Sequence, residues 1–234
     1  MTSGNYVLAA VLIIASYFIG NLSPSTILAK ASGHDIKKEG SGNAGATNVL
    51  RVVGPKAAAI TLIIDVLKGF IPVKLSYYIM CNALGCSLGN SLTVAAWAGL
   101  AVFLGHVWPV LLKFQGGKGV ATALGVILAF DIKSALICLG VFIVVVALTK
   151  MVSLGSMIAA AIFPFVFVLL FVLGNGGDAP IVIDYFSVTI LSIILGPMVI
   201  PLVLMAGILI FKHRANIGRI IRGEENKLSF KKHE

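Results

Sequence analysis

Apolar residues along this chain gather in runs bounded by charged residues, over 6–29, 57–80, 92–112, 119–130, 134–149, 154–173 and 186–211. Runs of such length predict membrane-spanning helices. Residues 119–149 admit two readings: one long tilted helix carrying Asp131 and Lys133 at mid-membrane, or two shorter helices turning there. Charge between the runs decides. Basic residues concentrate in 30–56 (Lys30, Lys37, Lys38, Arg51, Lys56), in 113–118 (Lys113, Lys118), at Lys150 in 150–153, and in the tail 212–234. Two crossings between 119 and 149 put all of these on one side, whereas one crossing would send the tail to the other. The positive-inside rule therefore predicts seven transmembrane helices, the N-terminus outside and the C-terminus cytoplasmic, with 15 of the 18 Lys and Arg inside. The outer segments differ: 81–91 is uncharged, and 174–184 is glycine-rich and acidic.

Composition agrees. With 59% hydrophobic and 12% charged residues and a mean hydropathy of +1.03, a soluble globular domain is excluded. Seven crossings leave no length for a sizeable soluble domain, so 1–234 reads as one all-α polytopic membrane domain whose chemistry sits in the bundle or its loops. Residues 1–5 lack a basic n-region, and the run after them has no small-residue cleavage site, so the first run reads as a retained helix. The net charge of +9 speaks first for topology and second for attraction to anions, and no nucleic-acid partner is expected. Cys81, Cys86 and Cys138 suit neither a disulfide framework nor a zinc site, although Cys81 and Cys86 share a short loop and could pair. Nothing calls for a metal or other cofactor.

The candidate chemistry lies on the predicted inner face. Gly40, Gly42 and Gly45 would let backbone N–H groups approach an oxyanion, while Ser41, Asn43, Thr47, Asn48 and Arg51 add donors. A GxGxxG match in this loop is discounted because no strand precedes it. The stretch Gly116-Gly117-Lys118-Gly119 sets an ammonium among amides at a helix start, where a phosphate is favoured, but it fails the P-loop pattern. Ser153 and Ser156 lie beside another helix N-terminus, where serine also serves as a plain cap. If 212–225 is helical, His213, Asn216 and Arg219 follow at three-residue steps on one face, suited to orienting a phosphorylated polyol; a basic tail lying on anionic lipid is the other reading. Asp65 and Lys68, inside a span at i,i+3, read as a structural pair, and His106 as a helix-packing residue. His34 and Glu39 have a His-x4-acid spacing, but in a charged loop they do not read as a catalytic pair.

Four stretches, 40–48, 105–122, 153–156 and 213–219 with Gly223-Glu224, resemble, in order, the motifs of the bacterial membrane glycerol-3-phosphate acyltransferases that use acyl-phosphate as donor. The resemblance implies transfer of an acyl group to the 1-hydroxyl of sn-glycerol 3-phosphate, giving lysophosphatidic acid and phosphate, in the first acylation of phospholipid synthesis. It implies a bacterial cell membrane location with the site facing the cytoplasm, membrane lipid as surroundings, and a functional link to an enzyme that makes acyl-phosphate. Carried over by position, Ser41 and Arg51 are expected to bind the phosphate of glycerol 3-phosphate. The Gly116, Gly117, Gly119 turn is expected to cradle acyl-phosphate, with Lys118 shared between phosphates. His213 and Asn216 orient the acceptor, and Asn43, Gly45, Thr47, Asn48, Ser153, Arg219 and Glu224 complete the substrate-binding set. No His-x4-Asp dyad or Ser-His-Asp triad is evident. Acyl-phosphate has a good leaving group, so positioning and electrostatics, with a substrate phosphate taking the proton, are the expected source of rate. The rival reading is a seven-helix transporter or binding protein for a phosphorylated metabolite. Against it, the candidate ligands collect on one face and no inverted repeat is evident.

Overall fold

Local chemistry sets where the helices begin and end. In the computed structural model, which describes residues 1–175 and 196–228, α1 (Ser3–Gly20) begins where Thr2 Oγ1 accepts the Asn5 N–H at 3.4 Å. It stops at Asn21, and Ser23 caps α2 (Pro24–Ala31). Proline lacks the N–H a continuing helix needs and disfavours helical backbone at the residue before it, so the run expected over 6–29 is two helices. The break leaves the Leu22 carbonyl for another partner, and Lys68 Nζ donates to it at 2.6 Å.

After α3 (Ala46–Val52), Gly54 at φ 114° turns the chain into α4 (Pro55–Tyr78), which ends in a π-helical turn over Ile79–Ala83. Then follow α5 (Leu88–Val107), a 3-10 turn (Val110–Leu112) and α6 (Val120–Phe130). α7 (Ile132–Thr149) is capped by Asp131, whose Oδ2 accepts both the N–H and the hydroxyl of Ser134 at 2.6 Å. Residues 119–149 are thus two helices parted at Asp131. At 11 residues α6 is about 16 Å long, short of the roughly 30 Å hydrocarbon core. α8 (Val152–Asn175), α9 (Val199–Lys212) and α10 (Arg214–Ile221) complete the described helices, the last two bent by 51° at His213. Residues 176–184 of the expected outer segment, 186–195 of the expected last span and 229–234 of the tail lie outside the described residues.

Among the described residues there is no strand. Among the described residues, four stretches are long and apolar enough to cross a membrane: Ser3–Ala31, Leu88–Leu112, Ile132–Thr149 and Val152–Leu170. The bent pair α9 and α10 makes a fifth if taken as one span. α4 has the length, at 24 residues, but carries Lys56, Asp65, Lys68 and Lys74.

The chain forms two compact units. The first is Met1–Phe130 with Gly196–Met205. Within it α5 is heavily enclosed, burying Phe103, His106 and Val107 among others. Its contact with α1 is backbone to backbone, since a Cβ on Gly20 would overlap the Val102 carbonyl and one on Gly105 the Tyr17 carbonyl. α4 and α6 meet likewise, through Gly69 at the Thr122 carbonyl and Gly125 at the Val66 carbonyl. Where lipid removes the hydrophobic drive between helices, such close van der Waals approach holds them together. Ala29, Ile36, Val49 and Ala58 form a small core under segment 30–56, which is therefore a packed element and not a loose connector.

The second unit is Asp131–Leu195 with Ala206–Glu234. Here α7 packs on α8, with Gly155 set against Phe142 and Val146. The outer side of α7 shows Leu136, Ile143, Val144 and Leu148, the last 81% exposed, a face suited to lipid and costly in water. The Leu228 N–H donates to the Lys150 carbonyl at 2.8 Å and ties the chain after α10 to the α7–α8 turn.

Candidate active site

In the first unit the loop before α3 is built around Asn48, which is 1% exposed. Its Oδ1 accepts the Ser41 N–H at 2.8 Å, and its Nδ2 donates to the carbonyls of Ile36 at 3.1 Å and Glu39 at 3.0 Å. The amide expected among the ligand donors is thus committed to fastening the loop. Gly40, at φ 61°, must be glycine because a Cβ there would overlap Asn48 Oδ1. With the loop so held, Ser41 and Arg51 are exposed and Asn43, Gly45 and Thr47 half-buried. His34 Nδ1 lies 2.8 Å from Glu39 Oε2, and the Asp35 N–H donates to Oε1 at 2.8 Å. These bonds, the Asp35 N–H foremost, hold the Glu39 carboxyl below the usual carboxylate range. The pair braces the loop.

The second inner segment doubles back. Lys113 and Phe114 both take left-handed backbone, at φ 55° and 59°, uncommon for residues with a Cβ. The Phe114 N–H then reaches the Pro109 carbonyl at 2.9 Å, and the Gly117 N–H the His106 carbonyl at 3.2 Å. The glycines that follow meet protein, which is a stronger demand than approach to an oxyanion. A Cβ on Gly116 would overlap the His106 carbonyl, on Gly117 the His106 ring, and on Gly119 the Phe103 ring. A Cβ on Gly117 would also sit 2.6 Å from the Ala44 carbonyl, so the turn is wedged between the end of α5 and the first loop. A second link is Lys37 Nζ donating to Gln115 Oε1 at 3.4 Å. Lys118, half-buried, lies in this wedged turn. Gly117→Ala is expected to lower the unfolding midpoint of detergent-solubilised protein by the equivalent of about 1–3 kcal/mol, the usual cost of overpacking. Gly140→Ala, inside α7 where a Cβ meets nothing within 4 Å, should not lower the midpoint and is expected to raise it slightly, since alanine is the better helix former.

Below the turn, Asp65 Oδ1 and Lys68 Nζ pair at 2.7 Å, 2% and 4% exposed, as expected of a structural pair. His106 Nδ1 stands 3.5 Å from the same Asp65 oxygen. Cys81 and Cys86 are free thiols.

The second unit carries a separate polar cluster. Asn216 and Arg219 share one face of α10, as the three-residue spacing predicts, and Ser153 lies in the first turn of α8. What joins them is Glu225: Oε1 accepts from Ser153 Oγ and Asn216 Nδ2, each at 2.6 Å, and Oε2 accepts from Arg219 Nε at 2.8 Å. Nothing in the sequence singles out Glu225, whereas its neighbour Glu224, expected in the set, is exposed and pairs with Arg222 at 2.7 Å. The available signal was Gly223, at φ 72°, which folds the chain back after α10. Two adjacent carboxylates after such a turn cannot both face the helix. His213, at the α9–α10 bend and 2% exposed, has Nδ1 2.8 Å from the Leu209 carbonyl. A carbonyl only accepts, so Nδ1 carries the proton. Among the described residues no three His, Cys, Asp or Glu gather as metal ligands.

The profile of the family described as glycerol-3-phosphate acyltransferase matches residues 10–223. Curated relatives named glycerol-3-phosphate acyltransferase include one from Trichlorobacter lovleyi, 39% identical over 97% of this chain and 98% of its own length. Another, from Clostridioides difficile, is 40% identical over 95% of this chain and 96% of its own. A third, from Thermoanaerobacter pseudethanolicus, is 42% identical over 93% and 94%. Among solved structures, the glycerol 3-phosphate form of PlsY (YgiH), an integral membrane glycerol 3-phosphate acyltransferase, superposes with a TM-score of 0.76 at 32% identity, covering 94% of this chain and 96% of that one. Its lysophosphatidic acid form superposes with a TM-score of 0.74 at the same identity, covering 94% and 95%. The apolar helices and this integral membrane neighbour make the protein a multi-pass membrane protein. With its donor-rich segments lying inside a match that spans nearly its whole length, the chain belongs to the glycerol-3-phosphate acyltransferase family.

Proposed function

We propose that the protein transfers a fatty acyl group from acyl-phosphate to the 1-hydroxyl of sn-glycerol 3-phosphate, forming 1-acyl-glycerol 3-phosphate and inorganic phosphate. The observation that carries this is the wedge at Gly117, which seats the Gly116–Gly119 turn against the loop bearing Ser41, just before the helix bearing Arg51, within one unit. Joining two phosphate-bearing reactants calls for two anion-binding segments side by side. The names of the relatives and the two ligand forms of PlsY support the acceptor and the product.

In this reading the chain crosses a bacterial cell membrane seven times, with the N-terminus outside. Segments 30–56, 113–118, 150–153 and the tail then face the cytoplasm, where soluble glycerol 3-phosphate meets a donor whose tail lies in the bilayer. Ser41 and Arg51 bind the acceptor's phosphate, with Asn43, Gly45 and Thr47 alongside. Gly116 and Gly119 hold acyl-phosphate, with Gly117 fastening the turn through its N–H to the His106 carbonyl, and Lys118 faces both phosphates. His213 and Asn216 orient the acceptor, supported by Ser153 and Arg219.

The 1-hydroxyl oxygen attacks the acyl carbon and forms the ester bond. The bond from that carbon to the bridging phosphate oxygen breaks, the electron pair leaves with phosphate, and a phosphate oxygen takes the hydroxyl proton. Placing well-oriented reactants together supplies about 7–11 kcal/mol of the barrier reduction, with cations stabilising the developing charge. Donor and mechanism are tested together by phosphate release from purified protein given palmitoyl-phosphate, with and without glycerol 3-phosphate, and by acyl transfer from palmitoyl-CoA. Release needing both substrates is expected. Activity with the thioester alone would overturn the donor, and no turnover with either, from folded protein, would overturn the enzyme. His213→Ala is expected to lose activity that added imidazole does not restore; restoration would indicate a protein base.

A further inference from the structure

Asp65 and Lys68 could neutralise one another unaided, and a buried ion pair is weak evidence of stability, since apolar residues of similar volume often serve as well or better. In the first unit this pair has two further partners. On one side Lys68 Nζ donates to the Leu22 carbonyl, freed by the break between α1 and α2, at 2.6 Å. On the other, His106 Nδ1 faces Asp65 Oδ1 at 3.5 Å. The opposite edge of that imidazole, Nε2, abuts Gly117 so closely that no side chain fits there, and the His106 carbonyl accepts the Gly117 N–H at 3.2 Å. One residue at the end of α5 therefore supports the glycine turn with both its ring and its backbone, and the far edge of that ring faces a carboxylate oxygen of α4.

We propose that Asp65, its charge balanced by Lys68, fixes the imidazole of His106 as the base on which the Gly116–Gly119 turn is seated, which makes Asp65 and His106 positioning residues for the phosphate-binding turn. This rests on the acyl-transfer reading above. A carboxylate oxygen beside Nδ1 keeps the ring in one orientation. Without it the ring loses that constraint, the turn it supports shifts, and the amides and Lys118 no longer match the donor's phosphate.

The test compares two double variants of the full-length protein in detergent that both remove the buried charges and the Lys68 bond to Leu22. Asp65→Asn with Lys68→Met keeps an oxygen facing His106, and Asp65→Leu with Lys68→Met does not. With palmitoyl-phosphate and glycerol 3-phosphate as substrates, the leucine double is expected to raise the KM for palmitoyl-phosphate about tenfold with kcat changed less than about twofold, and the asparagine double to stay near the wild type. Equal KM values in the two doubles, with an active wild type, would overturn the inference and leave the acyltransferase standing. An inactive wild type would overturn both. Should the leucine double fail to fold, Asp65→Val with Lys68→Met takes its place beside the asparagine double. A raised KM confined to the valine double supports the proposal, and equal values overturn it.

Discussion

Glu225→Ala is expected to abolish acyl transfer and to cost the protein about 3–5 kcal/mol of stability, the range for removing one partner of a buried charged group. The carboxylate takes three donors, from Ser153, Asn216 and Arg219, and its own side chain is 5% exposed. Truncation leaves those donors without their acceptor. The lower end of the range is expected because Arg219 is 31% exposed and water can reach it. Thermal unfolding in detergent reads the stability term, and phosphate release reads the activity. Glu225→Gln should fall between alanine and the wild type, since one amide oxygen remains to accept but the amide nitrogen faces another donor.

Acid should expose the same residue. Burial pushes the Glu225 carboxyl up, but the Ser153, Asn216 and Arg219 donors outweigh burial and hold it below the usual carboxylate range. A group whose folded-state pKa is depressed contributes stability above its unfolded-state value and loses it as pH falls through the folded one. The wild type should therefore lose stability on acidification through and below the ordinary carboxylate range, and Glu225→Gln should show a shallower loss there. Matching acid profiles for the two proteins would show that Glu225 is not the group responsible.

Lys118→Ala is expected to lower kcat/KM by about 10²–10³, the usual loss on removing one stabiliser of developing negative charge. Its unfolding midpoint should change little, because Lys118 is only half-buried and its backbone remains in the wedged turn. Lys118→Arg should recover only part of the activity, as a planar guanidinium presents its donors differently from a compact ammonium. Activity within about threefold of the wild type in the alanine variant would remove Lys118 from the site.

These two residues differ in how far the sequence reveals them. Lys118 sits in a glycine-bracketed turn at a helix start, a pattern with its own physical meaning, and can be picked out in one dimension. Glu225 cannot be. Glu224 and Glu225 are equivalent in composition, and only the direction in which the chain leaves Gly223 sends one toward Arg222 and the other into the cluster. Asn48 shows a third case: a side chain rich in donors reads as a ligand, yet burial commits both ends of its amide to the loop.

Helical class, the runs bounded by charge, the parting of 119–149 at Asp131, and the donor-rich segments all follow from the sequence itself, because hydropathy over twenty residues, capping and the cost of burying charge act along the chain. The break at residues 21–23 was also present there, in Ser23-Pro24, but was hidden by the apolar run surrounding it. What only the tertiary structure decided is which segments touch. That Gly117 seats against Ala44 and His106, that the Leu22 carbonyl finds Lys68, and that Asp65 faces the imidazole depend on where α1, α4, α5 and α6 place their ends. The reason is that close packing of glycine faces, down to backbone contact at Gly20, Gly69, Gly105 and Gly125, sets those positions through excluded volume between residues distant in sequence.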